Sequence, residues 1–208
     1  MRKFTIHKDY CDTGCNIYKK ENIAIDTGLT VLVGCNGMGK STLIKQLKSQ
    51  LETENIPVIS FNNLSEGGSY ARSKAGYYND LEFLVTAMQS SEGENIIMNL
   101  GKLASEIGSF MRKNKNMSEF WIFLDAIDSG LSVDNVDDVK EYLFKTIFDD
   151  NPNTNVYIIA SANEYELARN ENCFDVYRGK YIRFKDYEEY RNFILKTREE
   201  KDKRVYKK

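Results

Sequence analysis

The hydrophobic positions follow two periods along this chain. Phe4 and Ile6 alternate with polar neighbours, as in a strand with one buried face. Residues 16–26 (NIYKKENIAID) predict one or two further short strands. Four segments are short continuous apolar runs, namely 30–33 (TVLV), 57–61 (PVISF), 120–124 (FWIFL) and 156–160 (VYIIA). Such runs suit strands buried on both faces. Between them the period lengthens to that of a helix. Leu43, Ile44, Leu47 and Leu51 share one helical face, and a longer stripe runs from Ile96 and Ile97 through Leu100, Leu103, Ala104, Ile107 and Phe110 to Met111. Residues 81–89 read as a short helix and 136–148 as another, with Val139, Tyr142, Leu143 and Ile147 turned inward. Residues 62–80 read as loop. A hairpin is expected with arms 173–177 and 181–184, and Asp186 opens a last helix with Glu189 placed for a capping box. Strands alternating with helices predict an α/β fold. Its mostly parallel sheet is flanked by helices, and the first 33 residues supply an N-terminal antiparallel β layer at one edge.

Composition narrows the picture. At 208 residues, 41% apolar and 29% charged, the chain suits a single domain over 1–208 whose core needs no disulfide or structural metal. A net charge of −2 gives no global field for nucleic acid or anionic lipid. No apolar run approaches the roughly 20 residues of a membrane span, and the opening MRKFTIHKDY lacks the apolar core of a leader, so a cytoplasmic location is expected. Cys11 and Cys15 form a C-x3-C pair without the two further ligands that zinc needs. His7 is the only histidine, which excludes most histidine-based catalysis. The tail 196–208 carries seven basic and three acidic residues, as a solvated end or a contact for nucleic acid or a partner.

The chemistry is most concentrated at 34–41. Gly34-Cys35-Asn36-Gly37-Met38-Gly39-Lys40-Ser41 fits G-x-x-x-x-G-K-S between a buried strand and an amphipathic helix. Glycines let successive N–H groups turn toward one anion, and the helix N-terminus adds its partial positive charge. Lys40 is expected to reach the β- and γ-phosphates of ATP, and Ser41 to give an oxygen to Mg²⁺. A metal-holding acid is then needed at the end of a neighbouring strand. Asp125 follows Phe120–Leu124 and meets that need at the carboxyl edge of the sheet.

Residues 34–42, GCNGMGKST, resemble the G-x-N-G-x-G-K-S-T loop of ATP-binding-cassette (ABC) ATPases, which include transporter nucleotide domains and the heads of SMC, Rad50 and RecF proteins. Thr42 belongs to that string. Residues 124–132, LDAIDSGLS, resemble the family's L-D-E-P-T-S-G-L-D, with Ser129–Ser132 as its D-loop. Two stretches are similar to the signature L-S-G-G-Q/E: Leu64–Gly68, and 90–94, where Ser91, Gly93 and Glu94 open a long helix. The resemblance implies that the signature grips the γ-phosphate of a second copy, so that two ATP molecules lie in a head-to-tail dimer. It also implies a Q-loop metal or water ligand, at Asn62 or its neighbour Asn63, and an adenine-stacking aromatic, at Tyr18 or Tyr10.

The chain departs from the pattern twice. Ala126 stands where the family has the glutamate that positions the attacking water. Asn163 stands near the place of the switch histidine. Three readings follow: slow hydrolysis with Asp128 or Glu164 standing in, an ATP-gated homodimer or half of a heterodimer that barely hydrolyses, or an engineered Ala126, against which the missing histidine argues. About 28 residues separate the second strand from the signature, so 62–116 form a short helical and signature region. That is too short for a transporter's helical subdomain, and no heptad run replaces it. Ser65–Gly76, with Arg72 and Lys74, reads as a surface or contact loop. The resemblance thus implies a minimal ABC-type head that couples ATP state to a partner protein or DNA. An ATP sensor without turnover is the next reading, and a transporter domain or small-molecule P-loop kinase fits less well.

Overall fold

The computed structural model describes residues 1–8, 16–63 and 92–205, with side chains omitted for 92–99 and 205. The first strands, β1 (Arg2–Thr5) and β2 (Asn22–Ile25), pair antiparallel as a separate two-stranded sheet. β3 (Gly28–Val33) leads through a turn into α1 (Lys40–Thr53), and then come β4 (Val58–Asn62), α2 (Glu92–Lys113) and β5 (Glu119–Asp125). α3 (Val133–Asp138) continues through a π-helical stretch (Val139–Phe144) into α4 (Lys145–Asp149). β6 (Asn155–Ser161), a short α5 (Tyr165–Ala168), the hairpin β7 (Cys173–Asp175) and β8 (Lys180–Ile182), and α6 (Tyr187–Val205) complete the described chain.

The main sheet has the order β4-β5-β6-β3-β7-β8 and is parallel except for β8. The expected α/β architecture is therefore present. The antiparallel layer is smaller than expected, ending at Ile25, and it lies against a face of the sheet. β3 instead sits inside the main sheet between β6 and β7. The reason is the alternation in β1 and β2, which leaves each with one apolar face to bury. Phe4 meets Trp121 of β5 edge-on at 5.3 Å.

Each face of the main sheet has its own core. Leu32, Trp121, Phe123, Tyr157 and Ile159 pack with Leu43, Leu47 and Leu51 of α1 and with Ile23 and Ile25 of β2. Val31, Val33, Ile122, Leu124 and Ile158 pack on the other side with Leu103 and Ile107 of α2 and with Val136 and Ile147. Trp121 and Tyr157 stack at 3.9 Å across β5 and β6. Fully burying each such side chain contributes about 1.5–3 kcal/mol.

One position departs from the inward face that a helical period predicts. Tyr142 is 71% exposed, whereas Phe144 is 2% exposed. The π-helical stretch adds residues to the turn, so an ideal 3.6 period loses phase there. The capping box at α6 is present: Glu189 N–H donates to Asp186 Oδ1 at 2.9 Å, and Lys185 N–H to Glu189 Oε2 at 2.8 Å. α6 then runs on to Val205, through most of the segment read as a tail.

Parallel pairing brings strand ends to one edge. Asn62 is opposite Asp125, and Leu32 is opposite Ser161. The phosphate-binding turn leaves the sheet at the same edge after Val33.

Candidate functional site

The loop after β3 is built on backbone that side chains resist. Gly39 has φ 94° at the start of α1. A Cβ there would lie 2.5 Å from Ile17 Cγ2 and 3.0 Å from the Tyr18 hydroxyl. That hydroxyl donates to the Gly39 carbonyl at 2.7 Å. Tyr18 is 1% exposed, so it braces the loop from beneath and presents no ring face for adenine. A tyrosine with its hydroxyl on a loop carbonyl and its ring in the core satisfies both ends of the side chain. The other stacking candidate, Tyr10, lies outside the described residues.

A cavity of about 610 Å³ opens over the loop. Asn36, Gly37, Gly39, Lys40, Ser41 and Thr42 form its floor, and Asp125, Ala126, Ser129, Ser161 and Asn163 form its wall. Lys40 is buried and donates to the Gly34 carbonyl at 2.8 Å. Burial pushes its pKa below the usual lysine value, while Asp128, then Cys35 and Asp125, oppose that shift.

Asp125 ends β5 with both carboxylate oxygens engaged. Ser161 Oγ donates to Oδ1 at 2.6 Å, and Asn62 Nδ2 donates to Oδ2 at 3.2 Å. Ser161 Oγ also accepts from the Ala126 N–H at 2.7 Å. One hydroxyl thus orients the acid and satisfies the next backbone donor. Ala126 sits at φ 53°, a left-handed conformation uncommon for alanine. Its methyl group offers nothing to a water.

A family model decides the relationship. The model for ATPase family associated with various cellular activities (AAA) matches residues 30–178. The chain belongs to the AAA family. No curated protein matches it. As an AAA P-loop ATPase domain, it has the nucleotide-binding fold that the loop announced. The matched range begins in β3 and ends in the β7–β8 turn, so β1, β2, β8 and α6 lie outside it.

The remaining candidate residues of this AAA domain divide between the cavity and the bonds that support it. Asp128 is 1% exposed, and its Oδ2 accepts the N–H groups of Asn163 at 2.7 Å and Glu164 at 2.8 Å. Its Oδ1 accepts Asn163 Nδ2 at 3.3 Å. Burial raises its pKa, and the two backbone donors pull it back down. Its carboxylate holds the turn after β6 and is absent from the cavity wall. Asn163 also donates to Ser129 Oγ at 3.0 Å, which ties the end of β6 to the turn after β5. Asn63 Nδ2 donates to the Ser129 carbonyl at 2.8 Å, away from the acid that Asn62 contacts. Gly93 and Glu94 lie in the first turn of α2. Ser91, the Leu64–Gly68 stretch, the Ser65–Gly76 loop and the Cys11–Cys15 pair lie outside the described residues.

Two site residues escaped the sequence reading. Ser161 stands in a segment where the resemblance calls for a histidine, and a serine there matches no motif. Its signal is a hydroxyl directly after the apolar run 156–160, and the sheet register then sets it opposite Leu32. Ile17 lines the cavity in place of its neighbour Tyr18, and no sequence signal separates the two.

The donor set suits Mg²⁺. Ser41 and Asp125 face one cavity and offer hard oxygens, and one carboxylate with phosphate and water is the usual complement for this ion. Among the described residues no cluster of three acidic, histidine or cysteine side chains forms a separate metal site.

Proposed function

We propose that residues 1–208 are a single ABC-type head within the AAA family, one that binds Mg·ATP, dimerises on it and passes nucleotide state to a partner protein or DNA. The observation that carries this reading is the bonded turn after β5. Asp125, Ala126 and Ser129 border the nucleotide cavity, and Asn63 and Asn163 fasten Ser129 there. A D-loop held against the γ-phosphate side is what a shared ATP interface needs.

In this reading Gly34, Asn36, Gly37, Gly39, Lys40, Ser41 and Thr42 cradle the triphosphate. Ser41 and Asp125 hold Mg²⁺, with Asn62 steadying the acid or giving an amide oxygen. Bound Mg²⁺ would neutralise phosphate charge and orient the transferring group. Ser91, Gly93 and Glu94 of a second copy, or of a different subunit, grip the γ-phosphate. Asn163 faces that phosphate, and Asp128 sets its position. With alanine at 126, hydrolysis is weak or conditional, since positioning and electrostatic help remain without a group to orient water.

A second reading, an ATP-gated sensor with no turnover, gains support from Asp128. Its oxygens are taken up by Asn163 and Glu164, which leaves it poorly placed to stand in for the missing glutamate. A cytoplasmic setting fits either reading. Among the described residues no helix is long and apolar enough to cross a membrane.

Light scattering with phosphate-release measurement tests both. Mg·ATP should shift the mass from 24.0 kDa to about twice that value, and Ser91→Arg should abolish the shift. A mass that stays monomeric with ATP bound overturns the homodimer. A dimer that releases no phosphate selects the sensor.

A further inference from the structure

A second cavity, of about 360 Å³, lies between the phosphate loop and α6. Asn36, Lys40 and Asn163 border both this cavity and the nucleotide cavity, so the two meet along one shared wall. Its far side is formed by Tyr190, Arg198 and Lys201 of α6. Three cationic side chains therefore surround it, and no carboxylate lines it.

α6 is fastened to the loop at three points. The Cys35 N–H donates to Thr197 Oγ1 at 3.2 Å. Lys201 Nζ donates to the Asn36 carbonyl at 3.0 Å. Arg204 donates to the Asn16 carbonyl at 2.7 Å and to Met38 Sδ at 3.1 Å, and its guanidinium lies 4.0 Å over the Tyr177 ring. These contacts fix the helix against the loop and so fix where Arg198 stands. Arg198 itself makes no hydrogen bond or ion pair with the described residues, and Lys201 pairs with Asp202 only at 3.9 Å. An exposed guanidinium with no partner among the described residues, carried on a helix fastened to the loop and in a cleft that already holds two lysines, is an arrangement for a multivalent anion.

We propose that this cavity is a second phosphoryl-binding subsite, which holds a phosphate dianion beside the triphosphate position rather than within it. The proposal rests on the reading that the loop binds nucleotide. The triphosphate is held over the N–H groups of the loop and beside Ser41 and Asp125, on one side of Lys40. The subsite is bordered by Gly34, whose carbonyl the Lys40 ammonium contacts, and by neither Ser41 nor Asp125. A dianion there would meet Arg198 and Lys201 directly and Lys40 from behind. Its source is either the phosphate leaving ATP or a phosphomonoester on a second molecule, whose body would use the space beside Tyr190 and Ile194.

The test is equilibrium dialysis of labelled inorganic phosphate against the full chain, saturated with Mg²⁺ and a non-hydrolysable ATP analogue. About one phosphate per chain should bind. Arg198→Gln should weaken that binding roughly tenfold, as loss of a charge-assisted contact does, and Arg198→Lys should recover part of it. Analogue affinity should be the same in all three proteins. Displacement of the phosphate by ribose 5-phosphate at lower concentration than by unlabelled phosphate assigns the site to a second molecule, and the reverse assigns it to the product. Analogue binding without phosphate binding overturns the subsite alone and places Arg198 on the triphosphate. Equal phosphate binding by wild type and Arg198→Gln overturns it too. Failure of the analogue to bind overturns the nucleotide reading and the subsite together.

Discussion

Replacing Ser161 with alanine removes one oxygen and two interactions. The Asp125 carboxylate loses its 2.6 Å donor, and the buried Ala126 N–H loses its 2.7 Å acceptor. A hydrogen bond to a charged group is worth about 1.5–3 kcal/mol, and a buried donor left unsatisfied costs about 1–3 kcal/mol. Relaxation and water recover part of both, so the expected loss is about 3 kcal/mol. For a domain of this length, 1 kcal/mol moves Tm by about 2–4 °C, which gives a fall of about 10 °C. Thermal unfolding followed by circular dichroism, without nucleotide, measures it. Mg²⁺ should also add less to ATP affinity in the variant, because among the described residues Asp125 keeps one side-chain donor, Asn62 Nδ2 at 3.2 Å. A Tm within about 3 °C of wild type would mean that the hydroxyl is replaceable, and the account of how Asp125 is held would fail.

Gly39→Ala should cost about 2–5 kcal/mol, from a left-handed backbone and a Cβ 2.5 Å from Ile17 Cγ2. Gly101→Ala in α2, with nothing within 4 Å of its Cβ, should instead stabilise by up to about 1 kcal/mol, and urea titration of the pair checks both signs. Ala126→Gly should raise Tm slightly by relieving φ 53°, while Ala126→Glu should raise steady-state phosphate release severalfold if the position lacks only its water-orienting group. Burial, with Glu171 adding to it, pushes the Cys173 thiol up to about 12 from its ordinary 9.0. Iodoacetamide at pH 8 should therefore leave Cys173 unmodified in the native protein, as read by mass spectrometry. The unfolded chain releases this proton near pH 9.0 and the folded chain only near pH 12, so this thiol lowers stability progressively across that window.

The parallel sheet was legible because its strands are buried on both faces and are therefore uniformly apolar, which is a strong pattern. The loop and Asp125 were legible because phosphate and metal chemistry demands particular residues at fixed spacing. What was lost depended on three-dimensional detail that a period cannot carry. Tyr142 looked inward because an ideal helix would place it so, and the π-helical stretch before Phe144 shifted the phase. Tyr18 looked like a stacking platform because it is aromatic and upstream of the loop. Its hydroxyl and ring are both used internally, in a contact set by Gly39. For Asp128 the sequence shows an acid two residues after Ala126, and only the fold shows the Asn163 and Glu164 N–H groups on its oxygens.

The end of the chain failed to read for a more general reason. Tyr190, Ile194, Thr197, Lys201 and Arg204 are spaced by four, three, four and three residues, so they share one face of α6. The apolar part of the stripe ends at Ile194, because its next three members are polar. Yet those three make the contacts to the phosphate loop, through the Cys35 N–H, the Asn36 carbonyl and the Met38 sulfur. A loop shaped to expose N–H groups to an anion must leave some carbonyls and amides facing the protein, and an apolar helix would strand them unsatisfied at a cost of about 1–3 kcal/mol each. The surface that packs behind such a loop is therefore required to be polar, and in composition it is indistinguishable from a solvated tail. Helical spacing applied to polar residues as well as apolar ones would have marked 190–204 as a docked helix, and the same test can be applied to the charged ends of other P-loop chains.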